Sequence, residues 1–168
     1  MVEGPPVTSH RKLAGIGELV FSSNPNDVLV APSLGSCLGV AAYDQRRKTG
    51  GLIHCFLPSS HADPEKAKER PATYVDTGVS LMLQTLFSGG ANKRDIIISV
   101  AGGASINDAK GIFEIGSRNF TVLRKLLRKN NLLLSASDVG GEYSRTVMLC
   151  IASGEVWVKK NGETSRLI

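Results

Sequence analysis

The chain has 168 residues, 42% of them hydrophobic and 21% charged, with a formal net charge of +5. That size and balance fit one globular domain with an ordinary core and exclude a disordered or fibrous chain. No apolar run approaches bilayer length, and residues 1–11 lack the apolar core of a secretory signal, so a cytoplasmic protein without direct membrane insertion is expected. Cys37, Cys55 and Cys150 form no Cys-x-x-Cys spacing, which argues against a structural zinc or a disulfide framework. Basic clusters such as Arg46-Arg47-Lys48 and Lys159-Lys160 carry no interleaved aromatics. They read as solvated loops, suit an acidic protein partner better than nucleic acid, and predict no nucleic-acid partner.

In chain order, residues 1–14 read as a mobile tail and 15–168 as a single domain. Glu18-Leu19-Val20-Phe21 and Val28-Leu29-Val30-Ala31 read as short strands around a turn-rich Ser22–Asp27, with Pro32 stopping the second. Residues 38–43 are apolar on both faces, as in a strand buried between layers. Residues 44–50 form a charged loop and 51–57 the returning strand. Residues 61–71 read as a surface loop. Val75, Val79, Met82, Leu83 and Leu86 recur at helical spacing over 73–87, closed by Gly89-Gly90, and make the main long helix. Asp76 and Thr77 fall in its first turn, where a helix-start role is expected.

Residues 95–101 form a β-branched strand leading into Gly102-Gly103-Ala104, and residues 112–115 a short extended piece. Residues 119–129 form a second, amphipathic helix with Phe120, Leu123, Leu126 and Leu127 on its apolar face. A strand begins at Leu132-Leu133-Leu134, Asp138–Gly141 is a loop, and 147–152 with 155–160 form a hairpin turning at Ser153-Gly154. The fold expected is a single-domain α/β layered sandwich of mixed or antiparallel sheet with those two helices.

The stretch that organises the chain runs from Leu34 to Pro58 (LGSCLGVAAYDQRRKTGGLIHCFLP). It places a cysteine, Cys37, and a histidine, His54, on neighbouring extended segments of one hairpin. An imidazole near a thiol can accept its proton and activate it as a nucleophile. On residue chemistry alone the pair also reads as a buried small thiol and a structural imidazole. Centring the hairpin on Arg47 puts His54 across from Val40, leaving Cys37 roughly 10 Å away along the strand. A tighter loop, a bulge, or a Cys37 lying in the turn before the strand would each close that gap.

Order and spacing weigh toward the first reading. Gly15-Ile16-Gly17-Glu18, the Cys37/His54 unit, Tyr74-Val75-Asp76-Thr77, Gly102-Gly103-Ala104, Ile115-Gly116-Ser117-Arg118-Asn119 and Asp138-Val139-Gly140-Gly141 follow in sequence, with Arg145 and Gly154 closing the pattern. From Gly15 onward the chain resembles the CheD family of chemoreceptor glutamine deamidases.

The resemblance implies hydrolysis of glutamine side-chain amides on methyl-accepting chemotaxis receptors, with receptor methylesterase activity in some members. It implies Cys37 as nucleophile and His54 as base, a thioester intermediate, and no metal or organic cofactor. Backbone amides at Cys37 and around Gly35-Ser36 would receive the oxyanion. The family's third member is a threonine six positions before the cysteine, where this chain has Ala31. Three outcomes stay open: Ser33 substitutes, a water or backbone carbonyl orients His54, or activity is weak. The resemblance also implies a CheC-type phosphatase as partner, and with it an alternative role as a regulatory module with little catalysis.

Overall fold

The computed structural model describes residues 4–7, 9–106 and 114–168. Among them the strands are β1 (His10–Leu13), β2 (Leu19–Ser22), β3 (Asp27–Leu34), β4 (Leu38–Asp44), β5 (Thr49–Cys55), β6 (Ile96–Gly102), β7 (Ala136–Val139), β8 (Arg145–Cys150), β9 (Val156–Lys160) and β10 (Glu163–Arg166). The α-helices are α1 (Pro64–Glu69), α2 (Val75–Ser88) and α3 (Ile115–Lys129). The strands form two five-stranded mixed sheets, in the orders β1-β3-β8-β9-β10 and β2-β5-β4-β6-β7. This is the layered α/β sandwich expected from the sequence.

The β2-β5-β4-β6-β7 sheet is the middle layer, which explains why every residue of β4 is buried and none alternates with polar positions. One face of it (Leu38, Val40, Ala42, Ile53, Cys55, Ile98, Val100) packs beneath Val79, Met82 and Leu86 of α2 and Leu123 and Leu127 of α3. The other face (Ala41, Tyr43, Leu52, Ala101) meets Leu29, Ala31, Val147 and Leu149 of the second sheet. The main helix begins at Val75 after a 3₁₀ turn over Pro71–Thr73. It ends where Gly90 takes φ 99° and the Arg47 Nε donates to the Gly89 carbonyl at 3.3 Å. The β8–β9 hairpin turns where expected, with Gly154 at φ 78°.

Several segments differ from the sequence reading, each for a local reason. Residues expected as tail contain β1, which pairs in parallel with β3 and is held by Lys12 Nζ at 2.9 Å from the Asp27 carboxylate. Its side chains are all exposed, so no apolar pattern announces it. Pro32 does not stop β3. The strand runs on to Leu34 through a register irregularity between Ala31 and Leu34, where a missing N–H costs no ladder bond. The expected loop over 61–71 holds α1, started by Asp63, whose side chain accepts from the Lys66 N–H, and by Pro64.

The last helix opens four residues earlier than its apolar stripe suggested, after Glu114 at φ 45°. Of the extended piece expected over residues 112–115, residues 112 and 113 lie outside the described residues, Glu114 precedes α3 and Ile115 belongs to it. Leu132-Leu133-Leu134 forms no strand: Leu132 is buried under the helix layer, Leu133 is exposed, and β7 starts at Ala136 beside β6. Asp138 and Val139 thus lie in a strand rather than a loop.

Candidate active site

The turn Gly35-Ser36-Cys37 is the bend between β3 and β4. In the β4–β5 ladder Asp44 pairs with Thr49 and Gly39 with His54, so the hairpin is centred half a residue earlier than Arg47. That shift has a large consequence. Cys37, two positions before Gly39, falls on the same face as His54 and diagonal to it, a relation that brings Cβ atoms to on the order of 7 Å. Both side chains are nearly closed to solvent, at 6% and 2% exposure. Gly39 lies between them. A Cβ there would sit 2.6 Å from Val147 Cγ1 and 2.8 Å from Leu34 Cδ1, so only glycine lets the second sheet close over the pair.

The imidazole is oriented by backbone. His54 Nδ1 lies 3.1 Å from the carbonyl oxygen of Ala14, the fully buried residue just after β1. A carbonyl can only accept, so Nδ1 carries the proton and Nε2 presents a lone pair. Nε2 is buried and has no hydrogen-bond partner among the described residues. The main chain of His54 is gripped by the adjacent segment: its N–H donates to Glu18 O at 3.0 Å and its carbonyl accepts from the Gly17 N–H at 2.8 Å. The Glu18 carboxylate in turn accepts from the Gly15 N–H at 2.7 Å. The Gly15-Ile16-Gly17-Glu18 motif is therefore the cradle of the histidine.

Burial pushes the Cys37 thiol above its ordinary value, its own N–H opposing in part. Burial also pushes His54 down, against the Ala14 carbonyl and the Glu18 charge. The resting pair is a neutral thiol and a neutral imidazole. Cys55 sits on the opposite, helix-facing side, where burial pushes its thiol far up. Cys150, on the far face of the second sheet, is pushed up to about 11 by burial. Neither has an imidazole beside it in its strand ladder, so Cys37 alone is placed for nucleophilic chemistry among the three.

Comparison with known proteins settles the family. Residues 56–160 match the family model described as "CheD chemotactic sensory transduction". The chain belongs to the CheD family.

The match extends over whole relatives. A "Probable chemoreceptor glutamine deamidase CheD 1" of Syntrophus aciditrophicus is 44% identical over 150 residues, covering 89% of this chain and 94% of the relative. A "Probable chemoreceptor glutamine deamidase CheD" of Solibacter usitatus is 40% identical, covering 93% and 92%. A "Probable chemoreceptor glutamine deamidase CheD 2" of Anaeromyxobacter dehalogenans is 39% identical, covering 91% and 96%. The family model's match begins just after His54, so the hairpin that carries Cys37 and His54 is covered through these longer alignments.

In this CheD chain the other sequence-predicted positions separate. Ala31, the position where the resemblance implies a threonine, is buried in the layer between the sheets, with its Cβ 3.5 Å from where a Gly39 Cβ would stand. Ser33 does not join it. It is exposed, at φ 54° in the bulge, and its N–H donates to Thr146 Oγ1 at 3.3 Å. Gly35 and Ser36 do flank the thiol, and their carbonyls face away into protein donors: Gly35 O accepts from Ala104 N–H at 2.9 Å and Ser36 O from Asn119 Nδ2 at 3.0 Å.

Gly102, at φ 112°, passes so close that any Cβ would collide with the Cys37 carbonyl, which explains the Gly102-Gly103 pair. Asp76 is structural: its carboxylate accepts from the Ser60 N–H and hydroxyl and from the Thr77 N–H. Two contributors carried no chemical signal in the sequence. Ala14 acts through a main-chain oxygen, and Asn119 was visible only as the last letter of the Ile115–Asn119 motif. Among the described residues no helix is long and apolar enough to cross a membrane.

Proposed function

We propose that this CheD chain hydrolyses glutamine side-chain amides on chemotaxis receptors, with Cys37 as nucleophile and His54 as base. The observation that carries the reading is the unpartnered, proton-accepting Nε2 of His54 on the same face as Cys37, with Nδ1 tied to the Ala14 carbonyl. The relatives' names supply the substrate class. The neutral resting pair fits a mechanism in which the thiol proton moves as the substrate arrives.

In the first half-reaction Cys37 Sγ attacks the side-chain amide carbon while its proton passes to His54 Nε2. The oxyanion is received by the N–H groups of Ser36 and Cys37. The imidazolium returns the proton to the departing nitrogen, releasing ammonia and leaving a thioester on Cys37. In the second half-reaction water gives its proton to Nε2 and adds to the thioester carbon. Collapse expels the sulfur, which recovers the proton, and glutamate is formed. A glutamate methyl ester would enter the same thioester with methanol as leaving group. The carbonyl of Ala14 does the orienting that Ala31 has no polar atom to do. Exposed Ile16 beside the histidine cradle, Phe56 just after β5 and Ile106 against Gly35 give the site an apolar rim suited to a protein surface rather than a free polar metabolite.

The test is mass spectrometry of receptor cytoplasmic fragments incubated with wild type and with Cys37→Ala. Each converted glutamine gains the mass difference between OH and NH₂, so its position is read directly. Conversion by the wild type alone supports the reading. No conversion by a folded wild type removes it and moves the assignment to a regulatory module that binds a CheC-type phosphatase.

A further inference from the structure

We propose that Asn119 is a positioning residue for the oxyanion: its side-chain amide holds the Ser36 carbonyl outward and so aims the Cys37 N–H into the site. The inference rests on the deamidase reading above and adds a residue that acts on its transition state.

The argument starts from the peptide plane. In a trans peptide the C=O and the following N–H point in opposite directions, so fixing one fixes the other. Three consecutive carbonyls of the nucleophile turn are held from outside. Gly35 O accepts from Ala104 N–H at 2.9 Å, Ser36 O from Asn119 Nδ2 at 3.0 Å, and Cys37 O from Gly103 N–H at 2.9 Å. These donors belong to one wall, because α3 packs on the Gly103-Ala104 segment so closely that a Cβ at Gly116 would lie 2.5 Å from Gly103 and 2.6 Å from the Ala104 oxygen. With the Gly35 and Ser36 carbonyls turned to that wall, the N–H groups of Ser36 and Cys37 face the other way. Two adjacent N–H groups on one side make an anion-binding nest.

Of the three holding donors, two are main-chain and only Asn119 is a side chain. It is fully buried in the second turn of α3, and its second N–H donates to the Phe56 carbonyl at 3.1 Å, two residues beyond His54. One amide thus ties the nucleophile turn to the end of the histidine strand. Its Oδ1 is buried without a partner among the described residues.

The test compares Asn119→Leu, close in shape but without donors, with wild type and Cys37→Ala on a receptor fragment. The expected result is a fall in kcat of about 100-fold, the scale of a lost oxyanion donor, with KM held within about threefold. Iodoacetamide alkylation of Cys37 at pH 9 requires no oxyanion and falls by less than about threefold. Unchanged kcat overturns the proposal, as does a parallel fall of alkylation and kcat, which would mean Asn119 acts on the thiol. An inactive wild type overturns this inference together with the deamidase reading, whereas an active wild type with an equally active variant removes this inference alone. If Asn119→Leu does not fold, wild-type protein is treated with a blocked glutamate γ-semialdehyde, which forms a hemithioacetal by adding the sulfur to the aldehyde carbon and the thiol proton to its oxygen. The Cys37 backbone and Asn119 side-chain ¹⁵N–¹H signals are expected to shift together, and the absence of either shift overturns the proposal.

Discussion

Changing the pH separates the two ways a cysteine–histidine pair can work. Burial holds the Cys37 thiol above its ordinary value of 9.0, and burial holds His54 below its ordinary 6.5. A thiol of ordinary value carries only about one thiolate in a hundred at pH 7, and Cys37 carries fewer. In the free protein, iodoacetamide alkylation therefore rises about tenfold per pH unit from 7 to 9 without a plateau. Under the proposed mechanism deamidation behaves differently, because His54 acts as base only in its neutral form, the one present above its pKa. As pH climbs, kcat/KM rises through a midpoint below 6.5 and is level by neutral pH. The assay follows carbamidomethylation of the Cys37 peptide by mass spectrometry beside ammonia release from a receptor fragment. Alkylation that is fast and level from pH 6 upward would mean a preformed thiolate–imidazolium pair and would refute the neutral-pair argument.

Other perturbations test the supporting structure. Gly39→Ala drives a methyl into Val147 and Leu34; overpacking of about 1–3 kcal/mol is expected, read as a lower urea midpoint, together with a loss of deamidation as the sheets part over the dyad. Arg145 is buried and donates its Nε to Asp138 at 3.0 Å, with Lys160 Nζ 2.7 Å from the same carboxylate. Arg145→Ala should cost about 3–5 kcal/mol in urea unfolding. Burial raises Asp138, but the Lys160 and Arg145 bonds and charges outweigh it and hold the group below 3.8. Its stabilising contribution is thus present above pH 3.8 and fades as pH falls through the lowered value, which acid titration of the wild type and of Arg145→Ala compares. Ser33→Ala, at an exposed bulge, should leave deamidation within about twofold of wild type in a steady-state assay. A larger loss would place Ser33 in the mechanism.

The legible parts of this molecule are those whose signal is carried by side-chain chemistry in a short window. The spacing of Val75, Val79, Met82, Leu83 and Leu86 yields α2 to within two residues at its start and one at its end. The unbroken apolar run after Cys37 yields a strand buried on both faces. The illegible parts depend on pairing. β1 has no apolar pattern and exists because β3 offers it an edge. Pro32 breaks strands in isolation, yet the bulge absorbs it. Ser33 looks like a same-face substitute by simple alternation, and the left-handed residue in that bulge sends it to solvent instead.

The sequence alone determined the family and the α/β layering, and through the family resemblance it singled out Cys37 and His54, because residue identity and local periodicity survive without coordinates. Only the tertiary structure decided that they share a face. A half-residue change in hairpin centre reverses which side every β5 side chain takes, and the ladder rather than composition fixes that centre. Only the tertiary structure, too, supplied the orienting groups. The Ala14 carbonyl comes from the edge of one sheet to a histidine in the other, and a main-chain oxygen has no letter of its own in the sequence.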